Sequence, residues 1–266
     1  MGLLNGKTAL VSGVANSRSI AWGVAQVFRE HGARVALTCL ESTRRRVAKL
    51  GAELGASLVV PCDLTQEADI TRTFGEVGAT FDGRLDVVVH SVAFADVEDM
   101  KGEFLRVTLE GWRTALDASA YSLIALARAA RPFMRAAGGG SILTMTYAGG
   151  TRVSPGYNVM GVAKAALECT VRYLAYDLGP EGIRVNALSP GPIPTMSAIV
   201  IERFDESLQR LQACAPLRRT ITPRDVGDAA VLYASDLAGA ITGTTVFVDG
   251  GMNTLVASAG PHPRAG

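Results

Sequence analysis

The sequence is poor in groups that bind metals or cross-link chains, with four cysteines and three histidines in 266 residues. Cys39, Cys62, Cys169 and Cys214 lie far apart with no C-x-x-C pair, and His31, His90 and His262 stand at no ligand spacing to them. That excludes a recognisable metal site or disulfide framework and leaves four reduced thiols behaving as small hydrophobes. Charge of one sign is also lacking. Lys and Arg number 26 against 25 Asp and Glu, a formal net charge of +1. A near-neutral chain lacks the footprint that a phosphate backbone requires, which argues against nucleic acid as a partner. Long apolar runs are missing too: the stretch from Val185 to Ile201 is broken by Asn186, Pro190, Pro192 and Pro194, so it cannot span a membrane. No secretion or lipid signal is visible at the Met-Gly start, and a cytoplasmic location is expected.

What is present is a globular composition, 48% hydrophobic and 19% charged, which excludes disorder. Short β-branched runs cover Thr8 to Ser12, Arg34 to Thr38, Ser57 to Pro61, Leu85 to His90, Ser141 to Met145, Arg184 to Leu188 and Thr245 to Val248. Helix-period segments cover Ser19 to His31, Thr43 to Leu54, Ala68 to Ala79, Leu109 to Arg135 and Val159 to Leu178. Repeated β-α-β units predict an α/β protein: a single doubly wound, Rossmann-type domain over 1–258, with a mainly parallel seven-stranded sheet and helices on both faces. The composition of 259–266 predicts a flexible tail. Ligands of such sheets bind beyond the carboxyl ends of the strands, so the loops there carry the candidate site.

The first of those loops runs Gly13-Val14-Ala15-Asn16-Ser17-Arg18-Ser19 and is not a G-x-G-x-x-G. Gly13 can still take a tight turn, and Ser19 opens a helix whose free N–H groups suit a pyrophosphate; a plain capped turn is the other reading. Asp63, after the third strand, can accept from an adenine amine or serve as a turn residue. Small Ala93 and Ala95, after the fourth, admit a flat ligand.

After the fifth strand comes Tyr147, and then Tyr157-Asn158-Val159-Met160-Gly161-Val162-Ala163-Lys164 opens a helix. At about 100° per residue, seven positions bring Tyr157 and Lys164 within roughly 20° of one face and some 10 Å apart along the axis. A nearby ammonium is expected to lower the phenol pKa, and a ribose can bridge the two. Gly161 costs the helix about 1 kcal/mol against Ala, which predicts a close contact there.

These residues resemble the short-chain dehydrogenase/reductase superfamily, and within it the bacterial NAD(P)H-dependent enoyl-(acyl-carrier-protein) reductase branch, over roughly Leu4 to Asn253. The long Tyr-to-Lys spacing, Ser19-Ile20-Ala21-Trp22-Gly23, His90-Ser91, Arg184-Val185-Asn186-Ala187 and Val248-Asp249-Gly250-Gly251 carry the resemblance. It implies that Gly13, Ser19, Ile20, Asp63, Leu64, Val92, Lys164, Ile193 and Thr195 contact the dinucleotide. It also implies that Ala95 lies at the substrate and that Tyr147 and Tyr157 are the active-site tyrosines, and it suggests a homotetramer. Three positions depart from the family pattern. Pro194 replaces the usual basic residue of Gly-Pro-Ile-x-Thr, and Leu40 ends the second strand where Gln or a basic residue is common. The helix expected after Thr195 carries Glu202, Asp205 and Glu206 where some members are basic.

The implied reaction is reduction of a trans-2-enoyl thioester, linked to acyl carrier protein or coenzyme A, with Tyr157 hydrogen-bonding the thioester oxygen and Lys164 holding a ribose. Tyr147, Met160, Ile193, Met196, Ile199, Val200, Ile201 and Phe204 are candidates for an apolar acyl pocket or for ordinary core. NADH is expected over NADPH because Glu41 would repel a 2′-phosphate, with Arg44, Arg45 and Arg46 as the counterweight. The alternatives are carbonyl or alcohol redox chemistry on the same fold, and a non-catalytic nucleotide sensor. Arg218-Arg219 is the nearest basic cluster for an acidic carrier.

Overall fold

The β-branched runs form strands because alternate residues of each can be buried on opposite faces of one sheet. In β1 (Thr8–Ser12), Ala9 and Val11 enter one core and Leu10 the other; in β4 (Val87–His90), Val87 and Val89 face one way and Val88 the other. A computed structural model describes residues 2–199 and 204–255. The remaining strands are β2 (Arg34–Cys39), β3 (Leu58–Pro61), β5 (Gly140–Met145), β6 (Ile183–Pro190) and β7 (Thr245–Val248). They form a seven-stranded, all-parallel sheet in the order β3-β2-β1-β4-β5-β6-β7. The chain winds outward from β1 to β3, crosses back to β4 and winds outward again, which opens a crevice beyond the carboxyl ends of β1 and β4.

Helices cover both faces. α1 (Ile20–Glu30), α2 (Arg44–Leu54) and α9 (Pro223–Ala234) pack on the face of Val11 and Val89. On the face of Leu10 and Val88 lie α3 (Glu67–Thr80), α6 (Ser122–Ala137) and α7 (Asn158–Leu178). A short α4 (Val97–Met100) and α5 (Leu109–Leu116) precede α6, and α8 (Phe204–Cys214) precedes α9.

Three departures from the sequence reading have local causes. The helix expected over Leu109 to Arg135 is α5 and α6 joined by a π-helical turn at Asp117–Tyr121. The segment after Thr195 is a turn through Ile199 and a helix covers Phe204–Cys214; Val200, Ile201, Glu202 and Arg203 lie outside the described residues, as do 259–266. α9 was not anticipated, although Thr222 and Asp225 form a reciprocal capping box with Pro223 in the first turn.

Candidate active site

A cavity of about 430 Å³ occupies the crevice at the β1/β4 crossover. Its floor is the first loop. Gly13 has φ +88, and a Cβ there would lie 2.1 Å from the Ser91 carbonyl oxygen, so only glycine lets β1 turn this close to the end of β4. Ser19 stands at the start of α1 but does not cap it; its hydroxyl donates to the Asn16 carbonyl at 2.6 Å. The amide end of α1 therefore faces the cavity without a side-chain cap, a cradle that suits an anionic pyrophosphate. Among the described residues lining the cavity, Lys164 is the one charged side chain.

Lys164, on α7, and Tyr157, the residue that caps its start, project into the wall opposite this loop. Both are buried. The Tyr147 ring meets that of Tyr157 edge-on, with centroids 5.0 Å apart and planes at 66°. Gly161 makes the close contact expected of it, since a Cβ there would lie 2.9 Å from the Gly149 carbonyl oxygen in the turn that follows Tyr147. One electrostatic expectation is overturned. Burial, with the neighbouring Tyr147, raises the Tyr157 pKa well above the ordinary phenol value. The Lys164 ammonium is held by the Met145 carbonyl, to which Nζ donates at 2.8 Å, and burial brings its own pKa down to about 8. Desolvation thus sets the phenol's pKa, and the phenol stays a protonated donor.

Behind this wall His90 is fully buried between the hydroxyls of Thr144 and Ser122, each at 2.8 Å. Ser122 commits its own proton to the Ala118 carbonyl at 2.7 Å, so Nε2 of His90 donates and Nδ1 accepts from Thr144. Burial and the nearby Lys164 hold the His90 pKa down at about 3, and the ring is neutral at physiological pH.

Of the residues singled out from the sequence, Gly13, Ser19, Ile20, Val92, Ala95, Tyr147, Tyr157, Met160, Lys164, Ile193, Thr195 and Phe204 all line this cavity. Asp63 and Leu64 do not. The Asp63 carboxylate accepts from the amide and hydroxyl of Thr65 at 2.9 and 2.7 Å, the turn role, while Leu64 is buried in the core beneath α3. Sequence reasoning passed over Phe94, Ser154 and Pro155 in the lining, and Glu168 just behind it. Only Glu168 carried a signal, standing four residues after Lys164 on one helix face. The Arg218-Arg219 pair is engaged internally. Arg219 pairs with both oxygens of Asp225, and Arg218 donates to the Ala213 carbonyl.

A doubly wound parallel sheet with a dinucleotide cradle at its crossover and a buried Tyr and Lys on the facing helix defines a short-chain dehydrogenase/reductase. Residues 13–253 match the model of the enoyl-(acyl carrier protein) reductase family, and the chain belongs to that family. It is 48% identical to the enoyl-(acyl-carrier-protein) reductase (NADH) FabI of Bacillus cereus, over 96% of this chain and 100% of that protein. It is 46% identical to the enzyme of the same name from Nostoc sp., over 95% of this chain and 98% of that one. Among solved structures, the Bacillus cereus reductase with NADP+ and indole naphthyridinone superposes with a TM-score of 0.93 at 47% identity, covering 97% of this chain and 100% of that one. The Anaplasma phagocytophilum reductase in complex with NAD gives 0.92 at 44%, covering 97% and 98%.

Proposed function

We propose that this protein reduces the 2,3 double bond of a trans-2-enoyl thioester with NADH, as an enoyl-(acyl-carrier-protein) reductase of fatty acid biosynthesis. The observation that carries the reading is the paired wall of Tyr147, Tyr157 and Lys164 facing the uncapped amide end of α1 across one cavity. Bound NADH supplies the hydride that the β-carbon of the substrate accepts.

Gly13, Ser19, Ile20, Val92, Ile193 and Thr195 hold the dinucleotide, and Lys164 offers its remaining ammonium protons to the ribose. Asp63 and Leu64 are assigned to the far, adenine end of that path, where Asp63 has its second carboxylate oxygen to offer, Oδ1 being taken by Thr65 and its amide and carbonyl by Asp69 and Gln66. Tyr157 donates to the thioester oxygen as negative charge develops on it. Its raised pKa keeps the proton on the phenol, so the residue stabilises the enolate without becoming tyrosinate. Protonation of the α-carbon completes the reduction. Ala95, Tyr147, Met160 and Phe204 receive the acyl chain.

NADH absorbance at fixed protein concentration, followed separately with a 2-enoyl thioester and with ketones, tests the reading. Consumption with the thioester alone is expected, whereas consumption only with ketones overturns it. NADH is preferred because Glu41 stands beyond the end of β2 with Arg44 3.6 Å from its carboxylate. A tenfold kcat/KM advantage for NADPH, about 1.4 kcal/mol, would reverse that preference.

A homotetramer is supported by exposed apolar side chains on α5 and α7, notably Leu109, Tyr173 and Tyr176, and light scattering tests it. A cytoplasmic location is supported by four free cysteines, and no helix among the described residues is long and apolar enough to cross a membrane. One sheet reaching Val248 supports a single domain over 1–258.

A further inference from the structure

Glu168 is a buried carboxylate that none of these steps uses. It lies one turn beyond Lys164 on α7, and Oε1 accepts from the Thr146 hydroxyl at 2.7 Å. Lys164, on the same face, donates to the carbonyl of Met145 at 2.8 Å. The two charged side chains therefore grip consecutive residues at the carboxyl end of β5, immediately before Tyr147. The turn at Ala148–Gly150 is laid against the same spot, where a Cβ on Gly150 would approach Glu168 Oε1 and the Lys164 carbonyl carbon to 3.1 Å. Burying a carboxylate costs several kcal/mol unless charge and hydrogen bonds compensate, so its presence here, beside the one cation of the cavity, calls for a role.

We propose that Glu168 is a positioning residue of the reductase, acting from behind the cavity wall in two ways: it anchors Thr146, and through it Tyr147, and its charge keeps Lys164 in the ammonium form that holds the ribose. The inference rests on the functional reading above. The groups facing Lys164 fit this role. His90, from β4, is neutral, Tyr147 and Tyr157 are phenols, and Glu168 is the influence that opposes the loss of the Lys164 proton on burial. An ammonium has three donors, one of which Met145 takes.

The test is the pH dependence of NADH binding, read by fluorescence without acyl substrate, in the wild type and in Glu168→Gln, whose amide oxygen still accepts from Thr146. Wild-type affinity is expected to fall on the alkaline side of about 8. In Glu168→Gln that fall begins about one pH unit lower, the usual reach of an adjacent opposite charge, with thermal stability at pH 6.5 little changed. Coincident profiles overturn the electrostatic half of the proposal. Thr146→Val breaks the anchor and keeps the charge, so kcat drops severalfold while the alkaline limb stays in place; an unchanged kcat and KM overturns the anchoring half. If Glu168→Gln does not fold, Thr146→Val still decides the anchoring half, and the alkaline limb of Glu168→Met, which removes the charge without burying an amide, decides the electrostatic half. A wild type that binds NADH but consumes it with no enoyl thioester sinks the functional reading alone, because the binding profiles still judge the role of Glu168.

Discussion

The two walls of the cavity are built in opposite ways. The wall of β5 and α7 is held by buried polar bonds at every level: Lys164 on Met145, Thr146 on Glu168, and His90 between Thr144 and Ser122. The facing segment from Gly191 to Ile199 is held by short turns, the Ala198 amide to the Thr195 hydroxyl at 3.2 Å and the Arg18 guanidinium to the Met196 sulfur at 2.8 Å, with Met196 and Ile199 half exposed. Few buried contacts mean a low local free energy of opening. On the proposed reading, chemistry that tolerates little displacement belongs to the first wall and admission of the acyl chain to the second.

Substitutions on the rigid wall should therefore cost turnover, and the largest effect is expected at Tyr157. Tyr157→Phe lowers kcat about 10²- to 10³-fold with NADH affinity kept, the size of one lost donor to a developing oxyanion. Lys164→Ala instead weakens NADH binding. Titration and turnover showing the reverse pattern would exchange the two roles.

Next comes the buried histidine. His90→Ala leaves the hydroxyls of Thr144 and Ser122 to find other partners and should cost about 1–3 kcal/mol of stability, measured by urea unfolding. The sign of its pH dependence follows from its lowered folded-state pKa. Below the unfolded value of 6.5 the unfolded chain binds the proton more readily, so His90's contribution is complete above 6.5 and is lost as pH falls toward about 3. His90→Gln should flatten that part of the stability curve, and an unchanged slope would count against a neutral ring.

The loop wall should respond in KM. Met196→Ala is expected to raise KM for long-chain enoyl thioesters up to about tenfold, 1.4 kcal/mol, with kcat nearly kept. A kcat loss as large as that of Tyr157→Phe would erase the contrast between the walls.

The smallest effect concerns the carrier. Because Arg219 is paired with Asp225, Arg218 is left as the single uncompensated charge of that cluster to greet an acidic partner. Coenzyme A thioesters should serve nearly as well as carrier-linked ones, with a shallow salt dependence. A carrier advantage of a hundredfold, about 2.7 kcal/mol, that falls steeply with salt would reveal a docking face elsewhere.

The strands were legible because a buried parallel strand is a short β-branched run, and each was placed to within two residues at either end. That Tyr157 and Lys164 line one cavity was legible from their seven-residue spacing, although Tyr157 is the N-cap of α7 and not part of its regular turns. What escaped was either set by burial or was a local choice that the residues left open. The phenol pKa is set by burial, which no spacing encodes, and the carboxylate of Asp63 is claimed by Thr65 two residues on. α9 was missed because Pro223 punctuates the pattern, although in the first turn of a helix a proline starts the element.

The π-helical turn at Asp117–Tyr121 has a consequence for how this chain can vary. A π turn absorbs one residue more than the α-helix it interrupts, so the helix after it keeps nearly the phase it would have without that residue. Within the turn, Ser119 takes the amide of Phe94 at 3.1 Å, and just past it Ser122 reaches His90. Deleting that residue would restore an unbroken helix with α6 still facing the sheet, since four α-helical residues at about 100° each turn the chain nearly as far as five π-helical ones; the placement of Ser119 against Phe94 is what would be lost. Related chains that lack the extra residue should therefore keep this layer of the fold and give up that contact, so the turn is a point at which length can change without unseating the packing on the sheet.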